Sequence, residues 1–126
     1  MKRKVSLYFL IIIAIVIFLI RTFSWFNNQT NQQRSFRNIS HLILTKHVIC
    51  RMGCRHITGE EIEEILKNGK VNYRKSGVGS RGDSTFALEG YSHENQHIRV
   101  IVAPESDGLV IITCIDLGHE WPCNCY

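Results

Sequence analysis

The chain has 126 residues, room for one ordinary domain, but an uncharged apolar run near its start leaves only one small soluble domain beyond it. Of fifteen Lys and Arg, six fall within residues 1–37, which hold no Asp or Glu; residues 38–126 therefore carry nine basic against eleven acidic side chains, a net of −2. The overall charge of +4 belongs to the N-terminal segment, so the folded part lacks the basic footprint of a nucleic-acid binder.

From Val5 to Ile20 the chain reads VSLYFLIIIAIVIFLI, uncharged and with Ser6 its one polar side chain. This predicts a membrane helix. At about 1.5 Å per residue, sixteen residues cover roughly 24 Å of a bilayer core of about 30 Å. Arg21 can snorkel, which lets Trp25 and Phe26 complete the span. Lys2, Arg3 and Lys4 precede the run and one Arg follows it closely, which places the N-terminus in the cytoplasm and the rest outside. A cleaved signal peptide shares the basic start, but RTFSWFNNQT offers no small-x-small cleavage site. No cysteine follows closely enough for lipid modification. The expected organisation is residues 1–26 as basic start and signal anchor, 27–38 as a polar flexible tether containing NNQTNQQ, and 39–126 as an exported domain.

Within that domain Thr45 is a plausible N-cap for a helix from Lys46 to about Arg55, which sets His47, Cys50, Arg51 and Cys54 on one face. Thr58-Gly59-Glu60-Glu61 fits a capping box for a second helix, with Ile62, Ile65 and Leu66 as its buried stripe. Asn68-Gly69 should end it, with Gly69 in the left-handed conformation. The acidic run Glu60, Glu61, Glu63 and Glu64 reads as a solvated helix start. Four strand-like segments follow, at Lys70–Lys75, Thr85–Ser92, His97–Ala103 and Leu109–Asp116. The expected fold class is α+β: an N-terminal transmembrane helix, then two short helices packed on a four-stranded antiparallel sheet. Leu109–Ile115 is nearly all apolar and is the strand expected to be buried on both faces.

The blocks TKHVICRMGCRHITGEEIEEILKNGKVNYRKS, FALEGYS, QHIRVIVAP and TCIDLGHEWPCNC resemble one bacterial family, the uncharacterised "domain of unknown function 4258", in its short membrane-anchored form. The resemblance covers about Thr45 to Cys125 and implies no activity. By analogy, the helix-then-sheet order resembles the compact fold of RelE-like ribonuclease toxins, a warrant for fold rather than function. Anchored relatives often carry one cysteine before the FALEG-type strand and another after the Ala-Pro of the next turn. Here Asp83, Ser84 and Glu105 occupy those places.

Five cysteines remain. In an oxidising compartment, bridges from Cys50 and Cys54 on the short helix to Cys123 and Cys125 in the tail would close loops of about seventy residues, worth on the order of 4 kcal/mol. Which helix cysteine meets which tail cysteine is open. Pairing within the helix or within Cys-x-Cys is geometrically poorer. The rival is zinc held by the same four sulfurs, with His47 able to replace one; otherwise no cofactor is expected. Cys114, among Ile111, Ile112 and Ile115, reads as a core residue.

One further constellation is chemically suggestive. His47 and Arg51 lie one turn apart, and Glu89 and Arg99 lie on neighbouring expected strands, so a His/Glu proton-transfer pair with flanking guanidinium groups could cleave a phosphodiester. The plainer reading pairs Glu89 with Arg99 across the sheet and leaves His47 a structural residue. Arg81-Gly82-Asp83 spells an adhesion tripeptide, but a flexible turn explains it. His119-Glu120-Trp121-Pro122 reads as a packing latch. The expected function is therefore an extracytoplasmic, membrane-anchored binding or structural module of unknown ligand, periplasmic if the cell is Gram-negative. Its alternatives are an RNase-like hydrolase using His47, Arg51 and Arg99, or a zinc-binding module. The expected partners are the membrane and an unknown protein or small molecule, and nucleic acid is not expected.

Overall fold

The computed structural model describes the backbone of residues 2–37 and 41–125, and the side chains of 7–27 and 41–125. The chain forms two compact units, 1–34 and 35–126.

The first unit is formed by helix α1 (Lys2–Arg37), whose last three residues fall beyond it. It contains one stretch, Leu7–Asn27, long and apolar enough to cross a membrane. Its side chains there are exposed on every face, so it has no buried stripe of the kind a helix packed on a protein core shows. The polar stretch from 27, expected as a flexible tether, is helical to Arg37. Once the apolar turns have nucleated, each added residue costs only its own ordering and gains a hydrogen bond. Residue 38, where the tether was to end, and Ile39, where the domain was to begin, lie outside the described residues.

The second unit runs β1 (Leu42–Leu44), α2 (Lys46–Arg55), α3 (Gly59–Asn68), β2 (Lys70–Val71), β3 (Gly77–Val78), β4 (Ser84–Tyr91), β5 (His97–Glu105) and β6 (Gly108–Asp116). Both helices start as their sequences dictate. The Thr45 hydroxyl accepts from the Val48 N–H at 3.1 Å. Thr58 and Glu61 form a reciprocal capping box, with Glu61 Oε2 accepting from the Thr58 N–H at 2.9 Å. Glu61, however, is not solvated: it is fully buried, and among the described residues its Oε1 has no partner in hydrogen-bond geometry. Burial pushes its carboxyl up, but the hydrogen bonds from the Thr58 N–H and hydroxyl, with the Ser92 hydroxyl beside them, outweigh this and hold it below the usual carboxylate range. Gly69 is also not left-handed, having φ −65° and ψ 160°. Its lack of a side chain serves space instead, since a Cβ would lie 2.4 Å from the Ile65 carbonyl oxygen and 3.0 Å from that of Glu89.

The sheet is mixed rather than four-stranded and antiparallel. Its order is β1-β6-β5-β4-β2, with β3 pairing β4, and β1 runs parallel to β6. Two short strands hold the β4 edge: of Lys70–Lys75 only Lys70 and Val71 are extended, and Gly77–Val78 completes the edge after a turn held by Asn72. Leu42–Leu44 adds the opposite edge. These additions are two or three residues long, below the length at which alternation can be read.

Both helices pack on one face, α2 on β6 and α3 on β4 and β5. The core between them includes Val48, Ile62, Ile65, Leu88, Val100 and Ile111. Strand β6 reaches this core with Leu109, Ile111 and Cys114, an odd spacing allowed by a bulge. Ile101 pairs with Thr113 and Val102 with Ile111, so Ile112 is the inserted residue. Without it, period-two alternation would turn Cys114 to the opposite face. The strand is buried at Leu109, Val110, Ile111 and Cys114 and half-buried at Ile112, Thr113 and Ile115.

Candidate functional site

Two features of the domain bear on function: a clip joining the tail to α2, and a cavity on the sheet lined by aromatic and charged residues.

The clip starts from Asp116 at the end of β6. Its carboxylate accepts from Trp121 Nε1 at 2.8 Å, Gln96 Nε2 at 2.8 Å and the Gly118 N–H at 2.9 Å. Gln96 also donates to the Arg55 carbonyl at 3.1 Å, which ties the β4–β5 turn to the end of α2. Burial pushes Asp116 up, but the hydrogen bonds from Trp121, Gln96 and Gly118 prevail and hold it below the usual range. The Trp121 ring contacts the rings of His56 and His119, at centroid distances of 4.7 and 4.3 Å. The expected packing latch is thus present.

Anchored there, the tail runs back along α2 and brings Cys123 to Cys54 and Cys125 to Cys50 at disulfide-bonding distance, with Cα separations of 5.8 and 5.9 Å. The two spacings match because four residues of helix rise about 6 Å and two extended residues about 6.6 Å. An antiparallel tail can therefore register both pairs at once. Cys114 is the fifth cysteine, fully buried, and burial pushes its thiol up to about 11. This arrangement does not fit the zinc alternative: the sulfurs meet two and two, and His47 Nε2 accepts from Arg51 Nε at 3.4 Å. Among the described residues no group of three or more His, Cys, Asp or Glu converges on a metal position.

The residues of the suggested hydrolytic constellation form two pairs. His47 and Arg51 are joined along α2, and Glu89 is hydrogen-bonded to Arg99 between β4 and β5. His47 lines a cavity with Arg81, Asp83 and Ile112, and Glu89 lines a different one with Asn72, Tyr91 and His97. Nothing places the imidazole within proton-transfer reach of the Glu89 carboxylate. Arg81 of the adhesion-like tripeptide lies 3.9 Å from Asp83 and 3.8 Å from Glu105, an ion-paired turn.

The Glu89 cavity measures about 650 Å³ and lies where β2, β4 and β5 meet the turn after Val71. Register aligns Lys70, Glu89 and Arg99 across three strands, alternating in charge. Asn72 Nδ2 donates to Glu89 Oε1 at 2.9 Å, and the same oxygen accepts from Arg99. Burial raises the Glu89 carboxyl, but the bonds from Arg99 and Asn72 exceed that effect and hold it low, so it is ionised at neutral pH. Tyr91 stacks on its register partner His97 at 4.4 Å. Lys70, Asn72, Arg74, Tyr91 and His97 were not singled out from sequence. The signal for Tyr91 and His97 was available in the five-residue turn Ser92–Gln96, which sets them opposite each other. The Asn72 contact depends on a short edge strand with no signature of its own.

Residues 44–116 match the family model described as "domain of unknown function 4258". No curated protein and no solved structure matches the chain, and the analogy to RelE-like toxins gains no support from these comparisons.

Proposed function

Since the chain belongs to the domain of unknown function 4258 family, which brings no activity with it, we propose from its own geometry that it is a single-pass, membrane-anchored binding module displayed outside the cytoplasm. The observation that carries this reading is the tail clip. Four of five cysteines meet in two pairs at bonding distance, an arrangement suited to an oxidising compartment, in a chain that begins with a helix apolar enough to span a bilayer. The basic cluster before the apolar stretch favours an inside N-terminus, and RTFSWFNNQT, without a small-x-small site, favours an uncleaved anchor. Binding is favoured over hydrolysis because His47 and Glu89 serve separate pairs in separate cavities.

A reporter fused after Tyr126, in forms active only outside or only inside the cytosol, tests the orientation. Activity of the external form, with the full-length chain retained in the membrane fraction, is expected. Activity confined to the cytosolic form overturns it. RNA incubated with the detergent-solubilised chain should remain uncut, and cleavage lost in His47→Ala would instead establish the hydrolase.

A further inference from the structure

We propose that the cavity beside Glu89 binds an acidic sugar, a pyranose ring bearing a carboxylate, as a unit of an extracytoplasmic glycan. The proposal rests on the exported-module reading and names the ligand class that module takes.

Three observations carry it. First, Tyr91 is 63% exposed although His97 lies stacked against one face of its ring at an interplanar angle of 10°. The opposite ring face is therefore open, a flat apolar platform of the kind the C–H face of a sugar ring packs on. Second, Asn72 and Glu89 line the cavity, and Asn72 Nδ2 and Arg99 both bond Glu89 Oε1, which leaves the second carboxylate oxygen to accept from a ligand. A ring hydroxyl can donate to that oxygen, whereas any anionic group at the same point is repelled by it, so the ligand's hydroxyls face Glu89 and its charge lies away from it. Third, Lys70 and Arg74 line the same cavity with exposed side chains, two of the nine cations in a part of the chain whose net charge is −2. Their placement suits a carboxylate carried by the ring. The volume of about 650 Å³ falls within the range of about 300–1,000 Å³ usual for small-ligand sites.

The test is titration calorimetry of the full chain in detergent micelles with trigalacturonate, a neutral trisaccharide of galactose, and AMP. Trigalacturonate should bind, and the neutral sugar at least about tenfold more weakly, the loss of one charge-assisted contact pair. Lys70→Ala/Arg74→Ala should erase the preference for the acidic sugar, and Tyr91→Ala should abolish binding of both sugars, each variant keeping the parent melting temperature because these side chains lie outside the core. No sugar binding, equal binding of acidic and neutral sugar, or binding of AMP alone overturns the proposal. Should Tyr91→Ala lower the melting temperature, Tyr91→Phe, which retains the platform, must bind as the parent does. An external reporter without sugar binding removes this site and leaves the exported module standing; sugar binding with a cytosolic reporter does the reverse.

Discussion

Asp116 joins four segments through one carboxylate: the end of β6, the β4–β5 turn through Gln96, the tail through Trp121, and α2 through Gln96's second bond to Arg55. Removing it leaves the Trp121 and Gln96 donors unpaired, so Asp116→Ala should destabilise the domain by about 2–4 kcal/mol in urea unfolding. The sign of its pH dependence follows from its lowered folded-state pKa. The stabilisation is present above the unfolded value of about 3.9 and is lost as pH falls through the folded value, so Asp116→Asn should flatten the stability curve below about pH 4. His93 behaves oppositely. The Glu64 carboxylate bonded to its Nδ1 raises its pKa, so that contribution is present below about pH 6.5 and is lost as pH rises through the raised value. At the same scale, Cys114 is sealed in the core with its thiol pushed up to about 11. Alkylation followed by intact mass should find no adduct on the native oxidised chain, one after unfolding without reductant, and five after reduction. Five without reductant would remove the paired-sulfur account.

At the scale of elements, the helices and the long hairpins were readable and the sheet edges were not. Helix α2 starts at Lys46 and α3 at Gly59 because Thr45 and Thr58 bond the first free N–H groups, a local signal that needs no distant partner. Thr58→Ala removes a cap and strips the buried Glu61 carboxylate of a donor, so thermal or urea unfolding should show a loss of about 1–2 kcal/mol. The strand Leu42–Leu44 exists because β6 presents an edge to it, and Gly77–Val78 because β4 does, so each is defined by its neighbour. Glu61 reads as solvated from sequence because it belongs to an acidic run at a helix start, where carboxylates complement the dipole. Only the packing of Ser92 and α3 buries it.

For the whole molecule, the two cysteine pairs are nested, 50–125 outside 54–123. Either bridge alone closes a loop of about seventy residues, worth on the order of 4 kcal/mol by chain entropy; with one in place the other closes only a small remaining ring, worth about 2 kcal/mol. Cys50→Ser/Cys125→Ser should therefore cost about 2 kcal/mol, whereas loss of both pairs should cost about 6 kcal/mol. The latter is a large share of the 5–15 kcal/mol available to a domain. Melting curves of the parent, the double variant and the reduced chain test this ordering. Equal losses from one pair and from both would contradict it.

The amino-acid sequence by itself determined the apolar helix, the two capped helices, the three long strands and the family, because each rests on local periodicity, capping chemistry or contiguous motifs. It also favoured helix-to-tail bridges among the cysteines, with zinc on the same four sulfurs as the rival. Tertiary structure alone decided which sulfur meets which, since the antiparallel run of the tail along α2 depends on Asp116 and Trp121 turning the chain. It likewise decided that His47 and Glu89 lie in separate cavities and that Lys70, Asn72, Arg74 and Tyr91 share one with Glu89. Strand order and register bring residues distant in the chain to one surface, and both are set by long-range pairing that no local pattern encodes.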